Sequence, residues 1–159
     1  MNDLFATKRL VFVWALLLFG TAQAATNFTE GGMVTVKSAH DVGTTADRLE
    51  TALKNKGMTV FARIDHAAGA AKVGKTLRPT ELVIFGNPKV GTPLMLCAPP
   101  VAIDLPQKAL IWEDESGQTW LGYNDPEYIK SRHGVSGCDE VLGKITKALG
   151  NFANAATMP

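Results

Sequence analysis

The sequence predicts an α+β domain in which helices pack on one face of a mostly antiparallel sheet. Two observations carry that expectation. Strand-like runs interleave with helix-patterned stretches, most of which open on a capping residue. The later strands are also joined too tightly for the long crossovers that parallel neighbours need, since residues 105–124 leave no room for one. A length of 159 residues fits one domain with its own core.

Residues 1–24 read as a removable leader. Lys8 and Arg9 precede ten unbroken apolar residues from Leu10 to Phe19, and Ala22-Gln23-Ala24 forms a small-x-small cleavage site before Ala25. The apolar run is half the roughly 20 residues that would span a bilayer, so a secretory signal is expected rather than an anchor. No second run of spanning length follows. The expected location is the periplasm or the exterior, with no membrane span after cleavage. Removing Asp3, Lys8 and Arg9 leaves equal numbers of acidic and basic residues, without the basic excess that nucleic-acid binding requires.

Residues 25–32 are a polar lead-in, expected to be flexible. Met33 to Lys37 alternates as a half-buried strand does. Thr44 or Thr45 offers an N-cap for a helix reaching Lys56, with Ala46, Leu49 and Leu53 on its apolar face and Gly57 at its end. A strand over Met58–Ile64 and a short Ala/Gly helix ending near Arg78-Pro79 come next. Glu81–Phe85 is a third strand. Thr92 as cap and Pro93 at the first helical position predict a short helix, and Val101–Leu105 reads as extended. Strands over Ala109–Glu113 and Thr119–Tyr123 flank a hairpin loop, Asp114-Glu115-Ser116-Gly117. Asp125-Pro126 opens another short helix, and a last one runs from Asp139 to Ala153 with Leu142, Ile145, Leu149 and Phe152 on one face.

Four segments, FARIDHAAGA, TELVIFGNPKVGTPLM, AIDLPQKALIWED and WLGYNDPEYIKSRHG, occur in this order and resemble the family labelled domain of unknown function 302 over residues 33–134. The resemblance implies a β-α-β4-α fold of TATA-binding-protein-like architecture and a tendency to self-associate, hence a possible homodimer. It implies no reaction. Cys97 departs from the pattern, at a position where a non-thiol residue is expected. Residues 135–159, a C-terminal helix and tail, lie at the edge of the resemblance.

Several residues are candidates for chemistry. Asp65 is placed to cap the Ala/Gly helix, and His66 falls in its first turn, where the positive end of the dipole favours a neutral imidazole. Both have a purely structural alternative, Asp65 as cap alone and His66 as a loop contact. The surface Ala67-Ala68-Gly69-Ala70-Ala71 lacks bulk, which suits close approach by the sheet, a second subunit, or a flat or anionic ligand at a helix N-terminus. Asn87 and Lys89 lie in a glycine-rich stretch, 86–92, that either makes a turn or borders the same pocket. It lacks the ending of a phosphate loop. Asp104 is a further candidate, or else pairs with Lys108. The histidines at 40, 66 and 133 show no metal-ligand spacing, and His133 suits the C-terminus of a helix. No catalytic residue or cofactor is identified.

Cys97 and Cys138 are the only two cysteines. In an oxidising compartment they are expected to pair, the alternative being a buried Cys97 and a separate reactive Cys138. The functional expectation is an exported module that binds a small ligand or self-associates. The alternative is a small periplasmic enzyme, or a cofactor or metal protein, using His66. A cavity enclosed by His66, the Ala/Gly surface and residues 86–92 would favour the alternative; a flat apolar surface would favour association.

Overall fold

The structure is a computed structural model, and it describes residues 26–28 and 31–159. The leader expected over residues 1–24 lies outside the described residues. Six strands, β1 (Thr26–Phe28), β2 (Met33–Lys37), β3 (Thr59–Asp65), β4 (Thr80–Gly86), β5 (Gln107–Glu113) and β6 (Thr119–Asn124), form one sheet in the order β1-β2-β6-β5-β4-β3. Every neighbouring pair is antiparallel. The helices are α1 (Val42–Asn55), α2 (His66–Lys72), α3 (Pro88–Cys97), α4 (Pro126–His133) and α5 (Asp139–Thr157), with a 3₁₀ turn over Pro99–Ile103. Setting aside β1 and the shorter helices, the order is β-α-β4-α.

Strand alternation selects the core. Val34, Val36, Val83, Phe85, Ala109, Ile111, Leu121 and Tyr123 are all buried, and register places them side by side across four strands. Leu49 and Leu53 of α1 and Leu142, Ile145 and Leu149 of α5 cover this stripe. Each fully buried leucine contributes about 1.5–3 kcal/mol. The other sheet face carries Leu82, Ile84, Leu110, Trp112 and Trp120, all partly buried.

The two long helices run side by side in opposite directions. Arg48 of α1 donates to the carbonyls of Ala155, Ala156 and Met158, supplying donors to the open end of α5. At the edge strand β3, Arg63 binds Glu81 of β4 and, at 2.5 Å, Asp47 of α1. Hydrogen bonding first to Glu81 and then to Asp47 raises the pKa of the guanidinium.

Several local expectations are corrected. The cap of α1 is Asp41, whose carboxylate accepts from Thr44 N at 2.7 Å, while Thr45 is buried inside the helix and back-bonds to the Asp41 carbonyl. Thr26–Phe28, inside the expected flexible lead-in, pairs with β2. The Ala/Gly helix stops at Lys72, because Gly74 takes φ 69° and turns the chain away. Helix α3 begins at Pro88 under an Asn87 cap, five residues before Pro93, which sits inside the helix and removes only one N–H. Val101–Leu105 is not extended: Val101 and Asp104 donate to carbonyls three residues back.

Candidate functional site

A concavity is bounded by the C-terminal turns of α1, the later half of α5, the first turns of α3, and the β4 and β5 ends that face them. It encloses about 790 Å³, within the range of small-molecule sites. Phe85 and Phe152 meet edge to face at its base, with ring centroids 6.3 Å apart and planes at 78°. Ala52, Ala148 and Ala155 keep the helix walls thin, and Met58 and Met95 supply pliable side chains. Lys56, exposed at the C-cap of α1, is the only ionisable side chain among the described residues that line it. The remaining polar groups are Asn55, Asn87, Thr92, Gln107 and Asn151.

Phe61 reaches the rim through a backbone irregularity. Val60 is opposite Phe85 and Ala62 is opposite Ile84, which leaves Phe61 as the extra residue of a bulge. A Cβ on Gly86 would lie 3.3 Å from the Phe61 ring, so the glycine makes room for it.

The expected site residues fall into separate places. Asn87 lines the cavity, but its amide is committed: Oδ1 accepts from Lys89 N at 2.9 Å and Nδ2 donates to Gly57 O at 3.0 Å. It therefore ties the start of α3 to the turn after α1. Lys89 is exposed and does not line the cavity. Asp65 caps α2 by accepting from Ala68 N at 2.8 Å. His66 and Gly69 are exposed on α2, a helix without buried residues, and a Cβ on Gly69 would meet open space. Neither they nor Asp104 line the cavity.

Asp104 has partners that sequence spacing did not reveal. Its carboxylate lies 2.5 Å from His133 Nε2 and 3.1 Å from Arg132, both at the end of α4. Lys108 donates instead to the carbonyls of Asp104 and Pro106. His133 does end a helix, capped by Gly134 at φ 59°, and the carboxylate holds its ring to the 3₁₀ turn. No group of three or more His, Cys, Asp or Glu among the described residues is arranged to hold a metal ion.

Cys97 and Cys138 are joined, with Cα atoms 6.5 Å apart. Cys97 ends α3 and Cys138 precedes α5, so the bond ties together two helices that both line the cavity.

Comparison with known proteins places this architecture. The family model described as "Domain of unknown function DUF302" matches residues 34–152. The chain belongs to the DUF302 family. The match runs through most of α5, past the region that the four sequence segments cover. A crystal structure of an uncharacterized conserved DUF302 protein from Bacillus stearothermophilus superposes with a TM-score of 0.71, at 21% identity, over 79% of this chain and 98% of that one. At that identity the likeness concerns the fold. Among curated proteins, relatives from Brucella suis biovar 1 and Brucella abortus biovar 1, both named fluoride-specific ion channel FluC 1, are 47% identical over 115 residues. The matched segment is 72% of this chain but only 45% and 43% of those relatives, so this DUF302 chain spans less than half of their length.

Proposed function

We propose that this DUF302 domain is exported and binds a small apolar molecule in the cavity between α1, α3 and α5. The cavity of about 790 Å³ carries the reading, because apolar walls with a few polar groups are the usual composition of a small-molecule site. Export is supported by the leader pattern in residues 1–24 and by the joined cysteines. The test is uptake of the neutral fluorophore N-phenyl-1-naphthylamine by the purified protein. Saturable uptake by wild type, lost in a folded Ala148→Phe variant that fills the cavity, supports the reading. Uptake that is absent, or unchanged in that variant, removes it. For export, N-terminal sequencing should give Ala25, and recovery of an unprocessed chain from membranes would count against it.

A second reading, self-association, draws on the opposite end of the sheet. Edge strand β3 leaves Ile64 39% exposed, and beyond the bare α2 surface Val73 and Leu77 are 73% and 46% exposed. Val73→Glu should shift a concentration-dependent dimer to monomer in sedimentation, and a monomer at all concentrations would exclude the idea.

The Brucella relatives add a setting. Among the described residues no helix is long and apolar enough to cross a membrane. The matched segment is less than half of chains named as fluoride channels, and a place beside a membrane is the setting this suggests for the exported domain.

A further inference from the structure

Gln107 sits at the inner end of the cavity. It opens β5, pairs across the sheet with the buried Phe85, and is 8% exposed while lining the cavity. No hydrogen bond to its side-chain amide is found among the described residues, and no side-chain N or O is both sealed from solvent and unpaired. The amide is thus open to the cavity. It offers two N–H donors and a carbonyl oxygen, and leaving such groups dry and unpaired is costly.

The charge distribution narrows the ligand. Lys56 stands at the rim and no other ionisable group lines the cavity among the described residues. A charged group beside Phe85, Phe152 and Leu149 would be desolvated without a counter-ion, whereas an uncharged hydrogen-bonding group would meet a matching amide.

Resting on the cavity reading, we propose that Gln107 anchors a neutral amphiphile, an apolar body whose buried end carries one uncharged hydrogen-bonding group such as a primary amide. Its head points inward to Gln107, and its body fills the space between α3 and α5.

The experiment is displacement of N-phenyl-1-naphthylamine from the purified protein by decanamide and by decanoate. Wild type should bind decanamide roughly five- to tenfold more tightly than decanoate, the scale of one neutral hydrogen bond. Gln107→Met, close in size and apolar, should lose that preference through weaker decanamide binding, with each variant's displacement constants corrected for its own fluorophore affinity. Gln107→Leu serves if the first variant fails to fold. Unchanged decanamide binding in a folded Gln107 variant overturns the anchor and leaves the cavity reading standing. So does tighter binding of decanoate that disappears in Lys56→Ala, which would put an anionic head at the rim. Failure of wild type to take up the fluorophore overturns the cavity reading, and the anchor with it.

Discussion

Cys97 and Cys138, 41 residues apart in sequence, bring the end of α3 to the start of α5 with a Cα separation of 6.5 Å. Cys138 is buried and Cys97 is exposed, so reductants reach the bond from the Cys97 side. Closing a loop of this size removes denatured-state entropy worth up to about 4 kcal/mol. Reduction with a dithiol, or Cys97→Ser, should lower the unfolding free energy by a large part of that. It should also weaken fluorophore binding, because α3 loses its tether to α5. Thiol titration of the denatured, unreduced protein checks the premise, and two free thiols would refute it.

The β5–β6 hairpin depends on one carboxylate. Asp114 accepts from Ser116 Oγ at 2.6 Å and from Trp120 Nε1 at 2.8 Å, and also from the Ser116 and Gln118 amides. These bonds, that of the Ser116 side chain first and Trp120 next, hold its pKa well below the usual carboxylate range. A depressed folded-state pKa gives stability that is present above the unfolded value, near 4, and lost as pH falls through the folded one. Asp114→Asn should therefore lower stability at neutral pH. Acid titration of the melting midpoint should show a smaller loss below about pH 4 in the variant than in wild type; parallel profiles would remove this role.

Gly32 is constrained twice. Its φ of 72° is one that L side chains rarely adopt, and a Cβ there would fall on the Tyr128 ring, with Tyr128 Cβ itself 2.7 Å away. Swinging the ring aside does not relieve a clash that close to the α4 backbone. Gly32→Ala should cost about 1–2 kcal/mol from the left-handed backbone and about 1–3 kcal/mol from overpacking. A denaturant midpoint equal to wild type would show that the β2 entry and α4 move freely.

The fold was legible because its signals are local. Alternation marked Met33–Lys37 and Thr119–Tyr123, and Asp65 and Asp125 each cap the helix that follows them. The helix start read at Thr92-Pro93 was misplaced because Asn87-Pro88, which reads as a turn, carries the same cap-then-proline chemistry and sets the helix start instead. The cavity was not legible for a different reason. Ala52, Phe85, Gln107 and Phe152 converge only once antiparallel register and the α1–α5 pairing exist. In sequence, Gln107 is merely a polar residue at a strand end. His66 stood out by its chemistry, yet helix geometry leaves it on an exposed surface away from that convergence.

Phe61 tests the cavity from its rim. It is 56% exposed, and its place there follows from the bulge between Val60 and Ala62 and from the absence of a side chain on Gly86. A ring so exposed contributes little burial, so Phe61→Ala should change stability by no more than about 0.5 kcal/mol, as surface substitutions do. If the ring closes over a bound molecule, however, its removal uncovers apolar surface of the ligand. Affinity for N-phenyl-1-naphthylamine should then fall by about fivefold, the effect of losing one significant contact, chiefly through faster release. Stopped-flow displacement beside a thermal melt separates the two effects. A large loss of stability with unchanged release would make Phe61 a packing residue of β3, whereas faster release with an unchanged melt would establish it as part of the cavity mouth.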